Sequence, residues 1–150
     1  MPARDLPLLI DAARMAGRVA TSFTGATAKR WDKPGGAGPV TEADLAVNDL
    51  LLSTLRTARP DYGWLSEETE DTAARLSTSR QFVIDPIDGT RAFMCGLPTW
   101  GILIALNDGA RPVLGIMDQP YTGERYIGVS SDTLLTALCQ RGDREVRLQV

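Results

Sequence analysis

The chain contains no histidine. That absence removes His-dependent catalytic triads, imidazole acid–base chemistry and most zinc sites. Any chemistry must therefore run on carboxylates, hydroxyls, Lys and Arg, or a bound metal. Cysteine is nearly absent too: Cys95 and Cys139 make no disulfide framework, which fits a reducing cytoplasm. No apolar run approaches the roughly 18 residues of a membrane span. The opening MPARDLPLLIDAARMAG lacks the apolar core and cleavage site of a signal peptide. Basic clusters are missing, and a net charge of −3 argues against a nucleic-acid surface. These features predict a cytoplasmic protein with no membrane and no nucleic-acid partner.

What is present has the size of one domain, residues 1–150, with 43% hydrophobic residues to build a core. From Asp5 to about Ser22, Leu9, Ala12, Ala13, Ala16, Val19 and Ala20 recur with helical period. KRWDKPGGAGPV, rich in Gly and Pro, reads as a loop. A second helix opens at Thr41 as N-cap, with Asp44 at the capping-box position, and Pro60 stops it. YGWLS and QFVID read as strands, with TAARLSTS between them as a short helix or loop. TWGILIALNDG and RPVLGIMDQP form a hairpin through Asn107-Asp108-Gly109, and RYIGV adds a third antiparallel strand. DTLLTALCQRG reads as a helix, followed by a charged tail. Trp31, Trp64 and Trp100 read as core or wall aromatics. The order predicts an α+β fold with N-terminal helices packed on a mostly antiparallel sheet.

The chemistry concentrates in FVIDPIDGTRAF, Phe82 to Phe93, where two carboxylates follow an apolar strand. If the WLS and FVI strands are neighbours, Glu67 and Asp85 emerge side by side. Carboxylates that close need protonation, a basic partner or a cation. Oxygen clusters of this kind suit a hard cation such as Mg²⁺. Pro86 stiffens the turn, Gly89 permits close backbone approach, and the Gly89 and Thr90 amides offer a place for phosphate. The Thr90 hydroxyl suits an attacking water. Asp44 taken alone reads first as a helix cap, Glu70 and Asp71 as surface charge, and Lys33 and Arg91 as either surface residues or substrate contacts. Two other acidic motifs fail on spacing. A haloacid-dehalogenase motif needs Asp-x-Asp, whereas these acids are three apart. An EF-hand counted from Asp85 needs Glu at its twelfth position, where Gly96 stands.

GPVTEAD, WLSEE and DPIDGT, in this order and spacing, resemble the inositol monophosphatase superfamily of metal-dependent, lithium-sensitive phosphomonoesterases. The resemblance covers roughly Asp5 to Val129. It implies a Mg²⁺-dependent phosphatase in which Glu67, Asp85, Asp88 and the Ile87 carbonyl hold metal. It further implies that Gly89, Thr90 and Lys33 contact a small phosphorylated substrate, and that Thr90 and Asp44, with Glu67, orient and activate water. WDKPGGAGPVTEADLAVNDLL and RPDYGWLSEETEDTAARL resemble the 3'(2'),5'-bisphosphate nucleotidase branch, the preferred expectation. GLPTWGILIAL and RPVLGIMDQPYTGERYIG resemble the histidinol-phosphatase branch, and inositol-phosphatase specificity is a further alternative. Family members carry another metal-binding aspartate in a WDxAA-type motif, which this chain lacks: no Trp follows Trp100, and Asp118, Asp132 and Asp143 do not match its context. The resemblance thus implies the first half of the layered α/β sugar-phosphatase fold. An inactive metal- or phosphate-binding fragment is the alternative of another class. An unpaired sheet edge where a second half would dock predicts self-association.

Overall fold

The computed structural model describes residues 4–150. Two long helices, α1 (Leu6–Ser22) and α2 (Glu42–Ala58), lie side by side on one face of a seven-stranded sheet. A separate ribbon of β1 (Arg30–Asp32) and β2 (Pro39–Thr41) bridges the helices. The sheet then runs in chain order: β3 (Gly63–Ser66), β4 (Arg80–Asp88), β5 (Gly101–Asp108), β6 (Arg111–Gln119), β7 (Glu124–Ser130), β8 (Leu135–Arg141) and β9 (Arg144–Leu148). β3 and β4 are parallel, and each later pair among the described residues is antiparallel. The short helix α3 (Thr90–Met94) follows β4 directly.

Residue type explains the layering. The buried stripe of α1 is Leu9, Ala12, Ala13, Ala16, Gly17 and Ala20, small residues that bring the helix axis close to the sheet. A Cβ added at Gly17 would stand 3.2 Å from Asp118 Oδ2. Beneath the helices, Ile84, Ile104, Ile116, Ile127 and Leu138 form one cross-strand row, and Phe82, Leu106 and Leu114 begin the next. Each such side chain removed from water contributes about 1.5–3 kcal/mol. The opposite face carries two more rows: Val83–Ala105–Gly115–Gly128–Ala137–Leu148 and Asp85–Leu103–Met117–Tyr126–Cys139–Val146. Among the described residues no layer covers these two rows, so their side chains are only half-buried or exposed.

Three sequence expectations need correction. DTLLTALCQRG is not a helix: residues 135–141 pair with β7, and the charged tail forms β9. A turn in which Ser131 N–H donates to the Leu134 carbonyl at 2.7 Å, with the Ser131 hydroxyl accepting from Leu134 N–H at 3.1 Å, starts that return strand. KRWDKPGGAGPV is not all loop, since its ends pair as β1 and β2. Trp31 on that ribbon is 46% exposed, whereas Trp64 and Trp100 are buried.

Candidate active site

The turn after β3 and the bulge at the end of β4 meet at one cleft. Parallel pairing sets Ser66 against Ile84, and Glu67 N–H donates to the Ile84 carbonyl at 3.2 Å, so Glu67 leaves the sheet beside Asp85. In β4, Asp85 faces Leu103 and Asp88 faces Gly101, so the DPID segment carries one residue more than its partner. In a regular strand residues 85 and 88 would point to opposite faces. The bulge re-aims the second aspartate, and both line a cavity of about 270 Å³ with Glu67, Ile87, Gly89, Thr90 and Arg91. Gly38 and Pro39 of the ribbon close its other side. Gly89 sits at φ 87°, and a Cβ there would stand 2.8 Å from the Thr99 carbonyl oxygen, so backbone geometry alone requires glycine.

Asp44 caps α2 with one carboxylate oxygen and holds Thr90 with the other. Its Oδ2 accepts from Thr41 N–H at 2.9 Å and from the Thr41 hydroxyl at 2.6 Å, while the Thr41 oxygen caps Ala43 and Asp44. Its Oδ1 accepts from the Thr90 hydroxyl at 2.9 Å. The Thr90 hydroxyl also lies 3.1 Å from the Ile87 carbonyl, but it has one proton, and the charged carboxylate is the stronger acceptor. Asp44 is fully buried, so the pair is fixed in place from behind the cleft.

The acids themselves are electrostatically strained. Burial, then the charges of Glu67 and Asp88, push the Asp85 carboxyl up from 3.8 to about 7. Asp85 Oδ1 is buried and has no hydrogen-bond partner. The Lys33 ammonium lies 3.0 Å from Glu67 Oε1 and 3.0 Å from Glu68 Oε1. Burial pulls that ammonium down, but its bonds to the two glutamates outweigh this and raise it. Burial likewise raises the Glu68 carboxyl against the pull of Lys33.

Among the described residues, no three Asp, Glu or Cys side chains are already spaced to grip one ion. Glu67 is drawn toward Lys33 instead. The donor set nonetheless fits a hard cation, because the orphaned Asp85 oxygen lies among like charges and every other available donor is oxygen.

Glu68 is the second acid of the WLSEE pair that the sequence already marks, whereas Asn48 escaped the sequence reading. Glu68 is buried against Lys33, its side chain 6% exposed. Asn48 of α2 clamps the turn that presents both glutamates: its Oδ1 accepts from the Ser66 hydroxyl at 2.6 Å, and its amide donates to Thr69 at 3.0 Å. An amide inside the Val47–Leu51 stripe is the signal that marks it. Glu70 and Asp71 are exposed as expected, Asp71 bonded to Arg75.

A model of the inositol monophosphatase family matches residues 5–138. The chain belongs to the inositol monophosphatase family. Within it, the chain is similar to the histidinol-phosphatase of Mycobacterium tuberculosis, 37% identical over 122 residues that make up 81% of this chain and 46% of that protein. It is 35% identical over 120 residues to the inositol-1-monophosphatase of Caulobacter vibrioides, 79% of this chain and 46% of that one. Among solved structures, the Thermotoga maritima IMPase superposes with a TM-score of 0.80 at 26% identity, over 96% of this chain and 53% of that one. The Zymomonas mobilis inositol monophosphatase gives 0.66 at 37% identity, over 85% and 47%. The chain therefore spans about half the length of the curated relatives it matches. Its α+β architecture is that of the inositol monophosphatase fold. Among the described residues no helix is long and apolar enough to cross a membrane.

Proposed function

We propose that this chain is the catalytic first half of a Mg²⁺-dependent phosphomonoesterase acting on a small phosphorylated metabolite. The observation that carries this reading is the unpartnered, buried Asp85 oxygen among Glu67 and Asp88. Glu67, Asp85, Asp88 and the Ile87 carbonyl would hold the cation. When bound, Mg²⁺ would neutralise these carboxylates and supply Lewis acidity toward a phosphate oxygen.

The remaining work falls to this chain's own groups. Thr90 donates its hydroxyl hydrogen bond to Asp44 Oδ1, which leaves its oxygen lone pairs available to accept from a water in the cavity. As that water attacks phosphorus, its proton passes to Thr90 and the Thr90 proton to Asp44. The bond to the leaving oxygen breaks on the opposite side, the departing alkoxide takes a proton from bulk water, and Asp44 returns its proton to solvent. The Gly89 and Thr90 amides, at the start of α3, are the phosphate contacts, and Arg91 on the cavity wall neutralises charge there.

We place histidinol phosphate first among substrates, because two relatives matched over 122 residues are histidinol-phosphatases. The nucleotidase specificity expected from the loop and α2 is the second arm of the same test, and inositol 1-phosphate the third. The exposed edge strand β9 supports self-association in the absence of further chain.

The test is phosphate release by the purified chain with Mg²⁺ from histidinol phosphate, 3'-phosphoadenosine 5'-phosphate and inositol 1-phosphate, with Asp85→Asn as control. Release lost in Asp85→Asn supports the assignment, and the preferred substrate sets the branch. No release, with Mg²⁺ still bound by calorimetry, makes this half a binding module that needs the remainder of the fold. No Mg²⁺ binding at all overturns the reading.

A further inference from the structure

Residues far apart in the chain converge on a second cavity, of about 440 Å³, lined by Arg4, Asp5, Arg59, Tyr62 and Arg80. All but Tyr62 are charged. Each guanidinium comes from a different element: Arg4 precedes α1, Arg59 caps the C-terminus of α2, and Arg80 opens β4. The acidic cleft lies at the other end of β4. Asp85 is about 17 Å further along the strand, at roughly 3.3 Å per residue, so the two cavities are separate places.

The buried Asp5 does not account for three cations. Its Oδ1 accepts from Arg59 Nε at 2.7 Å and its Oδ2 from the Tyr62 hydroxyl at 3.0 Å, and the residue is 1% exposed. Those two bonds satisfy it, and Arg80 Nη1 stays 3.8 Å from Oδ2. That nitrogen donates to the Tyr62 oxygen at 3.0 Å, while Arg80 Nε donates to Asp108 at 3.2 Å. Among the described residues no hydrogen bond is made by Arg4 or by Arg59 Nη2, whereas Arg59 Nη1 donates to the Ala58 carbonyl at 2.8 Å. With Asp108 counted, three guanidiniums still meet only two carboxylates. A local surplus of positive charge thus stands in a chain whose net charge is −3. Arg59 and Arg80 are also held in place from behind, with side chains only 34% and 24% exposed.

We propose that this cavity is a phosphate-binding site, separate from the acidic cleft, in which Arg4, Arg59 and Arg80 grip one phosphate group. The bound group would tie the start of α1, the end of α2 and the start of β4 together. Guanidinium forks match phosphate oxygens with charge-assisted bonds, and the three free oxygens of a phosphomonoester suit three arginines better than the two of a carboxylate. The volume falls within the roughly 300–1,000 Å³ of small-molecule sites, which leaves room for an organic group on the phosphate. Free phosphate and a phosphomonoester share this chemistry.

Titration of the full chain in EDTA tests the site, because the metal-free acidic cleft repels an anion. Inorganic phosphate, glycerol 3-phosphate and succinate are compared by calorimetry and by the shift in thermal midpoint. The wild type is expected to bind phosphate and to melt higher as its concentration rises. Arg4→Met should bind about tenfold more weakly, as one charge-assisted contact is lost. Arg59→Lys keeps a charge beside Asp5, and with it the fold, but should also weaken phosphate several-fold, since a lysine cannot serve Asp5 and the anion at once. Tighter binding of glycerol 3-phosphate assigns the site to phosphomonoesters, and tighter binding of inorganic phosphate assigns it to the free ion. Succinate binding as tightly as either overturns the phosphate assignment. No binding by the wild type, or binding unchanged in both variants, overturns the site.

Discussion

Asparagine at position 85 is expected to make the metal-free protein more stable at pH 8 and leave it nearly unchanged at pH 4. The folded carboxyl is raised from 3.8 to about 7. Below pH 4 it is protonated in the folded and unfolded chains alike. Between about pH 4 and pH 7 the folded chain holds a proton that the unfolded chain has released. The stability this lends at low pH is lost as pH rises through about 7. At about 1.4 kcal/mol per pH unit the interval bounds the effect near 4 kcal/mol. Asp85 is only partly buried, which brings the expected loss to about 2 kcal/mol. Asparagine carries no charge, so Asp85→Asn should escape it. Urea unfolding in EDTA at pH 4, 6 and 8, followed by fluorescence of the buried Trp64, measures the difference. Glu68 and Asp118 are raised in the same direction, but both proteins share them, so the difference between curves isolates Asp85. Mg²⁺ at one hundred times its dissociation constant should add about 2.7 kcal/mol to the wild type at pH 8 and nothing to the variant. Identical pH dependence in the two proteins would refute the charge strain at Asp85.

Thr90→Ala should bind Mg²⁺ normally and lose turnover, because Asp44 Oδ1 loses its donor; the unpaired buried oxygen should cost about 1–2 kcal/mol by urea unfolding. Thr90→Ser should restore both. Gly25→Ala should lower the thermal midpoint sharply or prevent folding, since its Cβ would overlap the Phe93 carbonyl oxygen; circular dichroism melts check this. Asp5→Ala should cost about 3 kcal/mol by urea unfolding, because the buried Asp5 carboxylate accepts from Arg59 at 2.7 Å and from the Tyr62 hydroxyl at 3.0 Å, joining the start of α1 to the end of α2.

The acidic site was legible because its residues contradict their surroundings. Two aspartates at the end of FVI have no packing purpose, and the parallel pairing of β3 with β4 does bring Glu67 beside Asp85. Both helices followed from periodicity and from the Thr41–Asp44 cap. Asp44 was ambiguous in sequence because a carboxylate has two oxygens and the structure uses both. The Lys33 contact was invisible, since its partner Glu67 stands 34 positions away with no local sign of the pairing. Strand β8 was misread because TLLTALCQ packs as well on a helix as on a sheet, and only the neighbouring β7 decides. The β1–β2 ribbon is too short to mark itself among glycines.

The two apolar rows opposite the helices bear on how this chain unfolds. Leu103, Met117 and Tyr126 are already partly wet in the native state, so unfolding uncovers less apolar area than 150 residues would usually hide. The heat-capacity increment and the urea m-value should both fall below those of a fully layered domain of equal length. An environment-sensitive dye should bind the folded protein along the Ala105–Gly115–Gly128–Ala137 trough, so dye fluorescence alone would mistake this native state for a molten one.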